Sequence, residues 1–389
     1  METTAKRKRL YLSLSLAVAL VLLVALLFLL APRTIGPRYT IRRLVAPGFV
    51  STQPQSINDL GEVIGWANNL NGGEGFFIWD RDGKATEIVL DVEGKPWFSK
   101  INNKGQALGE ISSGTRTLYP FIWSASEGLR KPSFGANETA RALDMNDRGE
   151  LAGITWSASK IPHATLWNSN LEATLLTDAT SSWAWQINNR GTAFCSAYDR
   201  SRFLARGSES IYLKRSEMRF SVEDMNDAEL FVGTSYKGNP AGRIVSSSAC
   251  VWSATRGMEF LEQLNGFETE GAAINNKGQV VGWTQPAQAS PPPRWVETML
   301  DAVSNLNLTG HDLEDLFRGG RESTAFFWED GKMTPLIDLV EDPSEWISLV
   351  RAKDINEAGE IVGYGIHREV TTGFMAGFVL TPIKESDED

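Results

Sequence analysis

The sequence predicts an all-β fold, a seven-bladed β-propeller with an N-terminal transmembrane helix and a small helical insertion. Three observations predict it: a four-strand unit that recurs about every 44 residues, abundant glycine and tryptophan, and one long uncharged apolar run. The 389 residues include 35 Gly and 13 Trp. Glycine suits tight turns and tryptophan suits packed β cores. Six or eight blades are the alternatives to seven.

A basic segment and an apolar run open the chain. Residues 1–9 contain four consecutive basic residues at 6–9, and the run from Leu10 to Ala31 carries no charge. Its 22 residues would span about 33 Å as a helix, enough for a bilayer core. The run is longer than the apolar part of a cleaved signal peptide, and no small-x-small site follows it. We therefore predict an uncleaved signal anchor; the alternative is secretion after cleavage.

The charges that flank this run bear on its orientation. The basic cluster before the run favours a cytoplasmic N-terminus and a large domain outside the cytoplasm of a single-pass membrane protein. Arg33, Arg38, Arg42 and Arg43 follow the run and reduce the asymmetry. A cytosolic domain on the same helix is the alternative.

One phrase recurs through the rest of the chain: an apolar residue, Asn, an acid or amide, any residue, Gly, and then an apolar strand. Examples are SINDLGEVIGW at 56–66 and AINNKGQVVGW at 273–283. Successive copies are 44, 44, 42, 38, 49 and 81 residues apart. The seven central asparagines are Asn58, Asn102, Asn146, Asn188, Asn226, Asn275 and Asn356.

The phrase predicts a strand, a tight turn and a second strand. An Asn side chain can bond backbone two residues on, and Gly three residues after it can take the left-handed conformation. The fifth copy has Glu229 in place of this Gly, so we expect strain or a shifted turn there.

Two further strands follow in each copy, one of them ending in Trp in most copies. Four short strands in about 44 residues match a propeller blade. The last copy supplies only three strands, and residues 39–45 offer the fourth, so we predict that this N-terminal strand completes the last blade. The predicted propeller domain covers residues 39–382, and residues 383–389 form an acidic tail.

The I-N-x-x-G-x-V-x-G and A-F-x-W patterns together resemble the HAF-type probable extracellular repeat of bacterial surface and secreted proteins. The resemblance covers residues 39–382 except the insertion. Only the third copy keeps the His of the signature, in His163-Ala164, where Thr165 follows. The resemblance implies a propeller-like repeat and carries no active site with it.

Composition and motifs narrow the function. The net charge is -10, and an acidic body repels nucleic acid. The three histidines are far apart, and no P-loop, GxSxG, HExxH or EF-hand loop occurs, so the sequence indicates no catalytic residue, metal or cofactor. Cys195 and Cys250 fall at non-equivalent strands of neighbouring repeats, which favours free thiols over a disulfide.

Two sets of tryptophans have different predicted roles. The set that recurs at the end of the third strand is expected to fill the space between blades rather than to stack on sugars. A second set breaks this register and is the better candidate for surface contact: Trp66, Trp183, Trp185, Trp283 and Trp346.

Asp144, Asp224 and Asp354 precede the apolar-Asn step in three copies, and Lys100 holds the same place in the second. On innermost strands these carboxylates could bind a cation in the central channel. The alternative, which we favour, is that each one bonds nearby backbone amides and fixes its blade.

Residues 286–322 interrupt the sixth copy. They begin with three prolines and continue with apolar residues at helical spacings, which predicts a helical hairpin between the second and third strands of the sixth blade. The hairpin is either a decoration or a partner-docking arm. Its candidate contact residues are Trp295, Met299, Leu313 and Phe317.

The sequence therefore favours a membrane-anchored, extracytoplasmic binding or scaffold protein with a protein or carbohydrate partner. The alternative is a carbohydrate-active enzyme that uses acidic residues at the channel mouth.

Overall fold

A computed structural model of the chain shows a seven-bladed β-propeller. It describes residues 36–113, 116–135, 139–176, 181–207, 209–213, 220–238, 244–262, 264, 268–285, 323–370 and 373–383. Within these ranges, 28 strands form seven antiparallel four-stranded sheets, and the only helical element is the 3₁₀ turn Leu336–Leu339.

Strand β1, Tyr39–Arg43, precedes the first blade. Blade 1 contains β2 Ser51–Ile57, β3 Val63–Asn68, β4 Glu74–Trp79 and β5 Ala85–Glu87. Blade 2 contains β6 Lys95–Ile101, β7 Ala107–Ser113, β8 Arg116–Ser124 and β9 Gly128–Arg130. Blade 3 contains β10 Thr139–Met145, β11 Leu151–Trp156, β12 Pro162–Trp167 and β13 Ala173–Leu175. Blade 4 contains β14 Ser182–Ile187, β15 Thr192–Ala197, β16 Arg202–Arg206 and β17 Glu209–Leu213.

The remaining blades follow the same order. Blade 5 contains β18 Ser221–Met225, β19 Phe231–Gly238, β20 Ile244–Ser253 and β21 Gly257–Phe260. Blade 6 contains β22 Glu268–Ile274, β23 Val280–Gln285, β24 Thr324–Glu329 and β25 Lys332–Pro335. Blade 7 contains β26 Trp346–Ile355, β27 Ile361–His367 and β28 Ala376–Pro382, and its outer strand is β1.

The ring closes as the sequence predicts. β1 pairs antiparallel with β28, with Tyr39 opposite Pro382 and Arg43 opposite Phe378. At the end of this pair, the Ile383 N–H donates to the Arg38 carbonyl over 2.8 Å. One blade therefore contains strands from both ends of the propeller.

The antiparallel hairpins define two faces. Turns between the first and second strands, and between the third and fourth, lie on the side that we call the turn face. Turns between the second and third strands, and the connections between blades, lie on the opposite side, the loop face. The first strand of each blade is innermost and lines the central channel.

Apolar side chains pack between neighbouring blades. Leu108 and Ile122 of blade 2 share a buried cluster with Met145 and Trp167 of blade 3. Four of the recurrent tryptophans are buried and the fifth, Trp123, is half-buried, which confirms their predicted packing role. The buried four are Trp79, Trp167, Trp252 and Trp328.

Every innermost strand contains a β-bulge at the same place, one residue before the position of Asp144. The bulge presses the inner strand against the second strand. A Cβ added to Gly153 would lie 2.0 Å from the Arg141 carbonyl oxygen, and one added to Gly233 would lie 1.8 Å from that of Ser221. This close approach explains the glycine in the middle of most second strands.

Other predictions have mixed outcomes. Cys195 and Cys250 are free and buried, as expected. Glu229 adopts a φ of 57° and its N–H still donates to the Asn226 carbonyl over 3.0 Å, so the turn is strained and unshifted.

The predicted anchor, the whole predicted insertion 286–322 and the tail beyond Ile383 lie outside the described residues. The part of the chain that the structure describes holds no helix of the length and apolarity needed to cross a membrane. β23 ends at Gln285 and β24 begins at Thr324, so the insertion does separate the second and third strands of blade 6. The strand ends that flank it, Gln285 and Thr324, therefore lie at the loop face.

Candidate functional site: the central channel

The seven turn asparagines form a closed ring at the turn face of the channel. Each side-chain amide donates to the backbone carbonyl of the corresponding asparagine in the next blade, over 2.9–3.2 Å. The last bond runs from Asn356 to Asn58 and closes the circle. Each asparagine is at most 6% exposed. Six of these side chains also accept two N–H groups of their own turn, as Asn146 does from Arg148 and Glu150, and Asn356 accepts one, from Glu360.

A second ring lies next to the first, formed by the residue after each asparagine. Each backbone N–H donates to the side-chain oxygen of the equivalent residue one blade on, over 2.7–3.0 Å. The amide of Asn103 bridges the carboxylates of Asp59 and Asp147. The members are Asp59, Asn103, Asp147, Asn189, Asp227, Asn276 and Glu357.

The three predicted aspartates lie deeper in the channel wall. Each accepts the N–H of an isoleucine in the next blade: Asp144 from Ile187 at 2.8 Å, Asp224 from Ile274 at 3.0 Å and Asp354 from Ile57 at 3.0 Å. This is the amide-bonding role that we favoured from the sequence, except that the bonds join neighbouring blades.

Lys100 brings a positive charge among these carboxylates. Its ammonium pairs with Asp144, and a third of its side-chain surface remains open to the channel. Burial alone would lower the pKa of Lys100, but attraction to Asp144, Asp224 and Asp354 outweighs burial and raises it. The narrow part of the channel thus holds three carboxylates against one ammonium.

Two acids in the channel are harder to ionise than usual. Burial raises the pKa of Asp224 to about 6, although Lys100 and the Ile274 N–H act in the opposite direction. Burial likewise raises the pKa of Asp354, against the Ile57 N–H and Lys100. At the turn-face mouth, burial raises the pKa of Glu357, with Asp59 and Asp227 adding to it and the Asn276 N–H opposing it.

The open space in the channel is small. The cavity between the rings and the aspartates measures about 130 Å³, below the roughly 300–1,000 Å³ of small-molecule pockets. Among the described residues, no three His, Cys, Asp or Glu side chains are grouped so that they could hold a metal ion. The channel carboxylates thus converge, but they do so to accept backbone N–H groups.

The other predicted contact residues separate into two groups. Trp295, Met299, Leu313 and Phe317 lie outside the described residues. Among the tryptophans outside the register, Trp66 and Trp346 are buried, Trp183 and Trp283 are half-buried, and Trp185 is 41% exposed.

Sequence reasoning missed the contacts between blades. It assigned the asparagines a role only within their own turns, and it gave none to the residue after them. A signal was present, because that residue is an acid or amide in all seven copies.

No family model and no curated protein matches this chain. Several solved structures resemble it weakly. Virginiamycin B lyase from Staphylococcus aureus has a TM-score of 0.46 at 9% identity over 89% of this chain and 99% of its own. YCF48 bound to D1 peptide has a TM-score of 0.43 at 9% identity, and the match covers 92% of this chain and 100% of its own. A six-bladed fungal lectin, Aleuria aurantia lectin, has a TM-score of 0.31 at 12% identity, and the match covers 55% of this chain and 81% of its own. The strand pairing itself therefore defines the class of protein, a seven-bladed propeller closed by its N-terminal strand.

Proposed function

We propose that this chain is a membrane-anchored binding or scaffold protein, held by the run from Leu10 to Ala31 with its propeller outside the cytoplasm. The HAF-type resemblance agrees with this location. The observation that carries the binding role is the use of the channel carboxylates. They bond backbone N–H groups of neighbouring blades, which makes the propeller a rigid platform.

The proposal places partner recognition in residues 286–322, whose flanking strand ends lie at the loop face. Thr284 and Thr324 are opposite each other in the β23–β24 ladder, so Gln285 and Ser323 can be joined by a two-residue turn. Replacing residues 286–322 with Asn-Gly, which favours such a turn, removes the insertion without displacing either strand.

This replacement tests the proposal. The full-length chain and the variant are cross-linked in native membranes, and the captured proteins and glycans are compared. We expect the variant to keep its melting temperature and to lose a specific partner. If both chains capture the same partners, the insertion is not part of the binding site. If neither chain captures a partner, the binding role is contradicted.

The anchor needs its own test. Deleting residues 10–31 should move the chain from the carbonate-resistant membrane fraction to the soluble fraction. Protease added to intact cells should cleave the full-length chain if the propeller lies outside. Protection of the propeller in intact cells and digestion after lysis would support the cytosolic alternative.

A second candidate function is a carbohydrate-active enzyme. The raised pKa of Asp224, beside Asp144 and Asp354, is the observation that favours it, since one protonated and one ionised carboxyl serve glycoside hydrolysis. The cavity of about 130 Å³ argues against it. Release of reducing sugar from envelope polysaccharide by the wild type, lost in Asp224→Asn, would establish the enzyme.

A further inference from the structure

The innermost strand of blade 4 carries an aromatic surface that the amide-bonded rings do not use. Trp183 and Trp185 stack with ring centroids 6.5 Å apart and planes 20° apart. Trp185 occupies the bulge of β14, where it has no partner in the ladder. Its indole N–H donates to Ser196 Oγ over 2.8 Å, which fixes the ring, yet 41% of the residue is exposed. β14 is the innermost strand of blade 4, so this exposed ring belongs to the inner part of the blade.

Carboxylates and a tyrosine lie on the next two blades. Glu223 occupies the bulge of β18, the position equivalent to Trp185, and it is exposed. The Gln186 side chain donates to the Glu223 carbonyl over 2.6 Å and joins the two strands. The Ser221 hydroxyl donates to the Glu223 carboxylate over 3.0 Å, and Tyr236 lies in β19 of the same blade.

The charge of this part of the wall is negative. Burial raises the pKa of Tyr236, and the carboxylates of Glu270 and Glu223 raise it further. Glu270 is the third residue of β22, the inner strand of blade 6, and it accepts from the Gln285 amide over 2.9 Å. Below this surface, the channel holds three carboxylates against Lys100. Three carboxylates against one ammonium leave an excess of negative charge, which attracts ligands of positive charge.

The molecule already packs one arginine against an indole ring. Arg351 of β26 lies over the Trp283 ring of the preceding blade, with its guanidinium carbon 4.6 Å from the ring centroid. The exposed Trp185 indole, with an exposed carboxylate at the equivalent position of the next blade, offers an external cation a ring face and a negative charge. Arginine fits best, because its planar, weakly hydrated group stacks on aromatic faces and bonds carboxylates.

We propose that Trp183, Trp185 and Glu223 form a docking site for an arginine side chain of a basic peptide partner, with Tyr236 and Glu270 at its edge. This site rests on the proposed binding role and names the chemistry of one partner. None of the residues named here belongs to residues 286–322. The two proposals can therefore fail independently.

The test uses the full-length chain in detergent micelles and three fluorescein-labelled peptides of Gly and Ser. One peptide carries two arginines, one carries two lysines, and one carries two citrullines, which keep the shape of arginine without its charge. We expect the arginine peptide to bind and to quench tryptophan fluorescence. The citrulline peptide should bind about tenfold more weakly or not at all, with lysine between them.

Two variants and two matched controls locate the site. Trp185→Ala and Glu223→Gln should each weaken binding of the arginine peptide by about tenfold. Phe260→Ala and Glu209→Gln change an exposed aromatic ring and an exposed carboxylate on outer strands, and should leave binding unchanged. Glu223→Gln alters only charge, so it remains informative if Trp185→Ala folds poorly.

Three results would overturn the site: equal binding of arginine and citrulline peptides, unchanged binding in both site variants, or equal loss in the control variants. Binding of a neutral oligosaccharide that depends on Trp185, without arginine binding, would also overturn it, since the surface would then take sugars. If the chain binds the arginine peptide but captures no partner through residues 286–322, this site is supported and the binding role of the insertion is contradicted.

Discussion

At the scale of single residues, the turn asparagine has one local and one distant task. Asn146 accepts the N–H groups of Arg148 and Glu150 and donates to Glu150 within its turn, and it also donates to the Asn188 carbonyl over 3.0 Å. Asn168 makes the same three local bonds in an exposed turn between β12 and β13. The two residues therefore differ mainly in the bond between blades and in burial.

This pair allows the bond between blades to be measured. We expect Asn146→Ala to lower the free energy of unfolding by about 1–3 kcal/mol more than Asn168→Ala, because it leaves a buried carbonyl of the next blade without its donor. Urea unfolding of both variants measures the difference. Equal losses would show that the ring adds nothing beyond the local turn.

Asp224 should make the stability of the propeller depend on pH. Its folded pKa of about 6 is above the ordinary 3.8, so protonation favours the folded state. Its contribution is fully present below about pH 4 and is lost as the pH rises through 6. The shift of about two units corresponds to at most about 3 kcal/mol.

The measurement is the free energy of unfolding of wild type and Asp224→Asn between pH 4 and 7.5. We expect the wild type to lose stability relative to the variant as the pH rises, because Asn does not ionise. Lys100, Asp144 and Asp354 face the same space, so only the difference between the two chains reports Asp224. Parallel pH profiles would contradict the raised pKa.

At the scale of structural elements, the fifth inner turn departs from the repeat. Glu229 replaces the expected Gly, and its carboxylate pairs with the Arg206 guanidinium and accepts from Thr192 Oγ1 over 3.3 Å. Left-handed backbone costs a residue with a Cβ about 1 kcal/mol, whereas a partly exposed ion pair contributes less than about 1 kcal/mol. The two effects nearly cancel.

Two substitutions separate these effects. Glu229→Gly should leave stability within about 1 kcal/mol of wild type, and Glu229→Ala should be about 1 kcal/mol less stable than Glu229→Gly because it keeps only the strain. Gly278→Ala is the matched control: φ is 78° there and no atom lies within 4 Å of the added Cβ. Gly278→Ala should lower the stability by the same amount, about 1 kcal/mol, as measured by thermal unfolding. If Glu229→Ala and Glu229→Gly melt together, the strain assignment fails.

At the scale of the whole molecule, β1 holds the ring shut. The Leu44 N–H donates to the Gly377 carbonyl, and the ladder alternates, so the Thr40 N–H points towards β28 and the Ile41 N–H points away. Leu44, the residue after β1, also packs in the buried cluster between blades 7 and 1, with Val362 of blade 7 and Trp79 of blade 1. Closure is therefore made by hydrogen bonds and by apolar packing.

A proline scan tests the closure. Thr40→Pro removes a ladder donor and leaves a carbonyl of β28 unpaired, so we expect a loss of about 1–3 kcal/mol and a lower melting temperature. Ile41→Pro introduces proline one residue later, where the N–H is not used in the ladder. It should therefore lower the free energy of unfolding much less. Equal effects of the two prolines would show that β1 does not close the ring through its hydrogen bonds.

Much of the fold could be predicted from the sequence. The spacing of the asparagines gave seven blades, the missing strand of the last copy identified β1 as its completion, and the recurrent tryptophans were assigned to the core. These features are local, since each depends on a turn, an alternation or a repeated residue within one blade. The candidate site was less accessible. Asp144, Asp224 and Asp354 were placed on the channel wall, but Lys100 was not recognised as their partner.

The sequence by itself thus determined the blade unit, its number and the strand that closes the circle, because turn chemistry and strand periodicity are written within about 44 residues. The tertiary structure decided which side chains meet across blades. Bonds such as Asn356 to Asn58 join residues 298 positions apart, and they exist only when the ring is closed. The bulge that exposes Trp185 beside Glu223 is likewise a property of the packed inner strands, which no local pattern specifies.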